Sequence, residues 1–156
     1  MWHIKMEESR ATKIEIVAGD GNLKELKSLL EPSHTQLEKD VALENAIAYS
    51  QIETAKYLLS LGADLSNYDY QGVYYAVHNN ELEGLKFAIN HGVDVNINNG
   101  QLINTAIITT FNTKDPSTLK YLIDKGADIS LILRETINAF GTDQIKEIIK
   151  TSHNKC

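Results

Sequence analysis

The 156-residue chain is poor in the features that mark several large protein classes. It has one cysteine, Cys156 at the last position, so no disulfide can form within it. That is the usage expected of a reducing compartment and a cytoplasmic protein. It has two prolines, one tryptophan and no Gly-rich phosphate loop. No segment approaches the 18 uninterrupted apolar residues of a membrane helix, and Met1 to Met6 hold no signal-peptide core. Basic residues are in the minority, 15 against 21 acidic ones, for a net charge of -6. Nucleic-acid binders usually carry a basic face, so this balance argues against one.

Catalytic and metal constellations are also missing. His3, His34, His78, His91 and His153 are scattered without ligand spacing, and no Gly-x-Ser-x-Gly turn occurs. His91 stands at a helix end, where a structural role is expected. The expectation is a protein that is not an enzyme and has no cofactor, membrane span or nucleic-acid partner. Within an apolar content of 42%, the chain is patterned as an ordered helical domain.

What is present is a recurrence. Lys56-Tyr57-Leu58-Leu59-Ser60-Leu61-Gly62-Ala63-Asp64 returns as Lys86-Phe87-Ala88-Ile89-Asn90-His91-Gly92-Val93-Asp94, then as Lys120-Tyr121-Leu122-Ile123-Asp124-Lys125-Gly126-Ala127-Asp128. Such a period marks a stacked repeat array. Apolar residues fall on one helical face in five places. These are Leu23, Leu26, Leu29 and Leu30, then Ile52, Ala55, Leu58 and Leu59, then Leu82, Leu85, Ala88 and Ile89. Pro116, Leu119, Leu122 and Ile123 follow, and finally Thr142, Ile145, Ile148 and Ile149.

Gly62, Gly92 and Gly126 stand where a helix closes in left-handed conformation, which glycine adopts freely. A shorter helix is expected before each of these, marked by Val17-Ala18, Ala46-Ile47, Ala76-Val77 and Ala106-Ile107. Ser50 with Glu53, and Asn80 with Glu83, read as capping boxes for the second helices. Asp115-Pro116 reads as a helix start after a four-residue insertion near Phe111 to Lys114, placed in the turn between helices. Pro32 to Asp40 reads as a polar connection, residues 1–13 as a tail or helix start, and Trp2 as a cap on the array. Asp64, Asp94 and Asp128 form a row of turn residues, and Lys27, Lys56, Lys86, Lys120 and Lys146 a solvated ladder.

These residues resemble the ankyrin repeat, most clearly from Ala46-Ile47 through Ser50-Gln51-Ile52-Glu53 to Gly62-Ala63-Asp64, with Gly21-Asn22-Leu23 matching the inter-helix turn. The resemblance covers roughly residues 14 to 150. It implies an all-α solenoid of stacked antiparallel helix pairs with short finger loops, as one domain over 1–156. The repeats fall near 14–40, 41–70, 71–100, 101–130 and 131–150, the outer two atypical. The family's Thr-Pro-Leu-His start is replaced by Gln71-Gly72-Val73-Tyr74 and Gln101-Leu102-Ile103-Asn104. The period is also shorter than the usual ~33 residues. Looser, trimmed fingers are therefore expected.

The resemblance also implies a protein-binding module, with a concave surface of fingers and first helices. Its variable slots here are Tyr49, Asn67, Tyr68, Tyr70, His78, Asn79, Asn98, Ile108 and Thr109. Tyrosines suit such an interface. The expected partner is another protein, with a basic one suiting the acidic chain, and the expected state is a monomer. A narrower alternative is a small stand-alone inhibitor, an immunity-type antidote that blocks a toxin or effector enzyme.

Overall fold

The computed structural model describes residues 9–153. Ten α-helices and one 3-10 turn account for it, and no strand occurs among the described residues. Trp2, His3 and Cys156 lie outside the described residues, as does the side chain of His153. The helices are α1 (Arg10–Gly19), α2 (Leu23–Leu30), α3 (Gln36–Ala48), α4 (Ile52–Ser60) and α5 (Asn67–His78). They continue as α6 (Leu82–Asn90), α7 (Ile97–Thr113), α8 (Ser117–Asp124), α9 (Arg134–Phe140) and α10 (Asp143–His153). A 3-10 turn, Ile129–Leu131, precedes α9.

Odd-numbered helices form one row. α1 packs on α3, α3 on α5, α5 on α7 and α7 on α9. Even-numbered helices form a second row, with α4 on α6, α6 on α8 and α8 on α10. The first four helix pairs also close on themselves, α1 with α2 through α7 with α8. Between the rows runs one core. The small-apolar pairs Val17-Ala18, Ala46-Ile47, Ala76-Val77 and Ala106-Ile107 are all buried in it. From the even row, the middle slots Leu26, Ala55, Leu58, Leu85, Ala88, Leu119, Leu122 and Ile145 are buried as well. Each pair leaves an apolar face that only its neighbours can cover, so the pairs stack.

The recurring tail closes α4, α6 and α8 as expected. Gly62, Gly92 and Gly126 take φ of 90°, 97° and 92°. The amide of Gly62 donates to Leu59 and that of Ala63 to Leu58, and the same pair of bonds recurs at Gly92-Val93 and Gly126-Ala127. These bonds satisfy helix carbonyls that would otherwise be left open. Just beyond, Asp64 accepts from the Ser66 amide at 2.9 Å, Asp94 from Asn96 at 2.8 Å and Asp128 from Ser130 at 2.9 Å. The three aspartates are turn formers in a row.

Several local expectations differ from the structure. Ser50 and Asn80 do not cap their helices. Both have positive φ, and their side chains bridge to the next repeat: Ser50 Oγ accepts from the Gly84 amide, and Asn80 Nδ2 donates to Asp115. A true capping box forms at Thr35 and Glu38, where α3 starts inside the stretch read as a polar connection. The residues near Phe111 are not a turn. They extend α7 by a helical turn to Thr113, with the Phe111 ring 5.4 Å from that of Phe140. Pro116 stands one position before α8, and Asp115 holds the approach by accepting from the Ser117 amide.

The fingers are regular, not loose. Residues 68–70 and 98–100 each make one left-handed turn, with φ between 49° and 87°. Polar ties substitute for the missing tetrapeptide. Asp40 accepts from the Asp64 amide, Asn96 from the Asp128 amide, and Asn98 donates to the Asp69 carbonyl.

Two glycine substitutions separate the forces at work. Gly92 has open space around its missing Cβ, so Gly92→Val tests backbone conformation alone and should destabilise by ~1–2 kcal/mol. At Gly84 a Cβ would lie 2.0 Å from the Ile47 carbonyl oxygen, so even Gly84→Ala must push two repeats apart. Its melting temperature should fall further than that of Gly92→Val, as overpacking costs about 1–3 kcal/mol or more. An equal or smaller fall would disprove backbone-to-backbone packing there.

Candidate functional site

One side of the odd-numbered row carries a continuous set of grooves. The central groove runs between α3 and α5 and is lined by Glu15, Glu44, Tyr49, Tyr68, Tyr75 and His78, with Asn79 at its end. Across Tyr68 it continues into a groove with Asp69, Tyr74, Asn98 and Gln101. Tyr68 also borders a third depression against Leu37 and Val41. Thus Tyr68 touches all three.

Helical spacing explains the assembly. On α3, Val41, Glu44, Asn45 and Ala48 fall at i, i+3, i+4 and i+7, and on α5, Gln71, Tyr75 and His78 fall at i, i+4 and i+7. The side chains form an aromatic wall. Tyr74 and Tyr75 meet edge-on at 5.1 Å, His78 stacks on Tyr74 at 5.9 Å, and Tyr75 meets His78 at 6.1 Å. Tyr49, Tyr68 and Tyr75 are 51%, 59% and 40% exposed.

Tyr68 reaches this position through unusual backbone. Tyr68, Asp69 and Tyr70 take φ of 49°, 53° and 64°. The equivalent turn one repeat later uses Asn98, Asn99 and Gly100, residue types that tolerate left-handed conformation far better than tyrosine. Strain of this kind persists where surrounding structure holds it, and it concentrates at binding sites.

Glu44 is held in a second unfavourable state. Its Oε1 accepts from Asn67 Nδ2 at 2.7 Å, yet partial burial, with the nearby Asp40 and Glu15 charges, pushes its carboxyl above the usual range. Among the described residues, Glu15, Glu44 and Asp69 have no ion-pair partner, and no lysine or arginine lines the central groove or its continuation. Glu38 differs: the Arg10 guanidinium at 2.6 Å holds its carboxyl below the usual range.

Of the candidate residues, the structure brings Tyr49, Tyr68, His78 and Asn79 together around one groove and places Asn98 beside it. Asn67 stands behind, holding Glu44. Tyr70 turns inward, half-buried against the core. Thr109, expected at a contact slot, is buried instead: it is 3% exposed, and its hydroxyl donates to the Val77 carbonyl of the preceding helix pair. Ile108 is half-buried and borders none of these grooves. Glu15, Glu44, Gln71, Tyr74 and Tyr75 also line these grooves but are not among the slots that the resemblance marks. The i, i+4, i+7 spacing counted back from His78 contains the signal for Gln71 and Tyr75.

The even-numbered row presents another surface. Lys27 lies 5.2 Å from the Tyr57 ring centre, Lys86 lies 5.8 Å from that of Tyr121, and Lys56 pairs with Glu53 at 3.1 Å. His91 Nδ1 is 2.7 Å from the Phe87 carbonyl, in keeping with a structural role at the helix end.

No family model matches the chain. Over 129 residues, 80% of its length, the chain is 30% identical to transient receptor potential cation channel subfamily A member 1 of Homo sapiens. That protein carries ankyrin repeats, and the similarity points the same way as the recurring tail. The chain spans 11% of that protein's length. No described helix of the chain is long and apolar enough to cross a membrane.

The site generates two stability predictions. A raised carboxyl pKa means that ionising Glu44 costs more in the folded state than in the unfolded state. The associated stability is full below the unfolded carboxylate pKa and is lost as pH rises through the folded one. Glu44→Gln keeps the acceptor for Asn67 and escapes that loss. Its melting temperature should exceed that of the parent at neutral pH, with the difference closing in acid; a constant difference across pH would refute this. Asp69→Gly should stabilise by about 0.5–1 kcal/mol by relieving left-handed strain. Urea denaturation midpoints measure it, and a loss would show that the turn is unstrained.

Proposed function

We propose that the chain is an ankyrin-repeat module that binds another protein through the groove side of its odd-numbered helices and fingers, acting by recognition and not by catalysis. The observation that carries this reading is the aromatic wall of Tyr49, Tyr68, Tyr75 and His78 flanked by Glu15 and Glu44, which have no ion-pair partner among the described residues. Large exposed rings with few rotatable bonds make efficient contacts, and tyrosine is enriched among residues that dominate binding energy. The recurring Gly-x-Asp tail and the two stacked rows support the repeat assignment. In this family resemblance, the groove side corresponds to the concave surface.

Tyr70 is unsuitable for testing contact because it packs on the core, so Tyr75 takes its place. Truncating a central tyrosine typically costs ~2 kcal/mol or more of binding, about thirtyfold in affinity. Tyr68→Ala with Tyr75→Ala should abolish recovery of the natural partner from the source cell's lysate, measured by quantitative mass spectrometry. Lys56→Ala with Lys86→Ala, on the opposite row, should leave recovery unchanged. If the lysine pair abolishes recovery and the tyrosine pair does not, binding occurs on the other face.

A further inference from the structure

The central groove and its continuation are lined by Glu15, Glu44 and Asp69 and by no lysine or arginine, and that lining favours one kind of partner. Building on the interaction reading above, we infer that the central groove receives a cationic side chain of the partner protein, with arginine the best fit, between the carboxylates of Glu15 and Glu44 and the ring faces of Tyr68 and Tyr75.

Three observations converge. First, the two carboxylates line the same groove and have no cation of their own among the described residues. Their neighbour Glu38 is already paired with Arg10 at 2.6 Å, whereas no lysine or arginine lines the central groove. Second, Tyr49, Tyr68 and Tyr75 present exposed rings on the same walls, and a guanidinium stacks on aromatic faces while its planar fork bonds a carboxylate. Third, Asp69 extends the acidic character into the adjoining groove.

Other occupants fit less well. An acidic segment would meet like charge from Glu15 and Glu44. A neutral apolar segment would bury Glu44 further without compensation, and its carboxyl is already destabilised by burial. A cation relieves that same penalty. It also brings electrostatic steering to association, which salt weakens.

The test uses short peptides of alternating arginine and glycine, and the same peptide with glutamine for arginine. Binding is followed by calorimetry and by backbone amide shifts of the whole chain. The arginine peptide should move the amides of Glu44, Tyr68 and Tyr75, and should bind at least about tenfold tighter than the glutamine peptide. Glu15→Gln with Glu44→Gln should remove most of that advantage. Glu53→Gln with Glu83→Gln, which deletes the same charge from the opposite row, should leave it intact.

Equal losses for both pairs would show attraction to net charge alone and overturn the inference. Equal binding of arginine and glutamine peptides in this groove would also overturn it while leaving the interaction reading standing. Shifts confined to α4 and α6 would overturn both. Glutamine retains the hydrogen-bond acceptor at Glu44, so a folding failure is not expected, and each variant's melting curve checks it.

Discussion

The structure depends on backbone-to-backbone contact between neighbouring repeats. A Cβ at Gly72 would come 2.8 Å from the Glu44 Cα, and one at Gly84 would come 2.0 Å from the Ile47 carbonyl. The alanines at 46, 76 and 106, all fully buried, keep the odd-numbered row equally tight. No larger residue fits these positions while the core between the rows remains closed. That approach brings α3 and α5 close enough for their outer side chains to form one groove. It also puts Asn67 within reach of Glu44.

Close approach brings buried polar groups together, and each must find a partner. The chain meets much of this need with side chains crossing from one helix pair to the next, while the Tyr57, Thr118 and Tyr121 hydroxyls and Asn80 Oδ1 are buried without a hydrogen-bond partner. Asn104 donates to the Leu131 carbonyl and accepts from the Leu133 amide, and Asn79 donates to the Ala48 carbonyl. Gln51 donates to the Gly19 carbonyl, and Thr109 to that of Val77. Each bond contributes about 0.5–1.5 kcal/mol net, but removing one partner would leave a buried group unsatisfied at greater cost. Specific pairing of this kind fixes the register of one repeat on the next. The fingers are consequently ordered without the proline- and histidine-containing start.

A left-handed turn and a desolvated carboxylate adjoin at the central groove. The left-handed run Tyr68-Asp69-Tyr70 and the raised carboxyl of Glu44 both border the central groove. Elsewhere the same left-handed turn is built from asparagine and glycine, and other carboxylates are stabilised by amides or hydroxyls, as at Asp64 and Asp128.

The sequence by itself determined the all-helical class, the apolar stripes of the even-numbered helices and the three left-handed closures. Apolar spacing and a glycine after the last apolar residue are local signals, and helix geometry follows from them directly. It also contained Tyr49, Tyr68, His78, Asn79 and Asn98 as candidates. Only the tertiary structure decided the rest. Ser50 and Asn80 have the local grammar of caps, but their partners, Gly84 and Asp115, come from the next repeat. Thr109 and Tyr49 occupy equivalent slots, yet one is buried and the other open, because burial depends on what each neighbouring repeat lays over the slot. The grouping of Glu15 with Glu44 spans α1 and α3, and the placing of Tyr68 in the same groove as Tyr75 follows three residues of left-handed backbone. Such proximities arise when repeats stack, and no periodicity within one repeat encodes them.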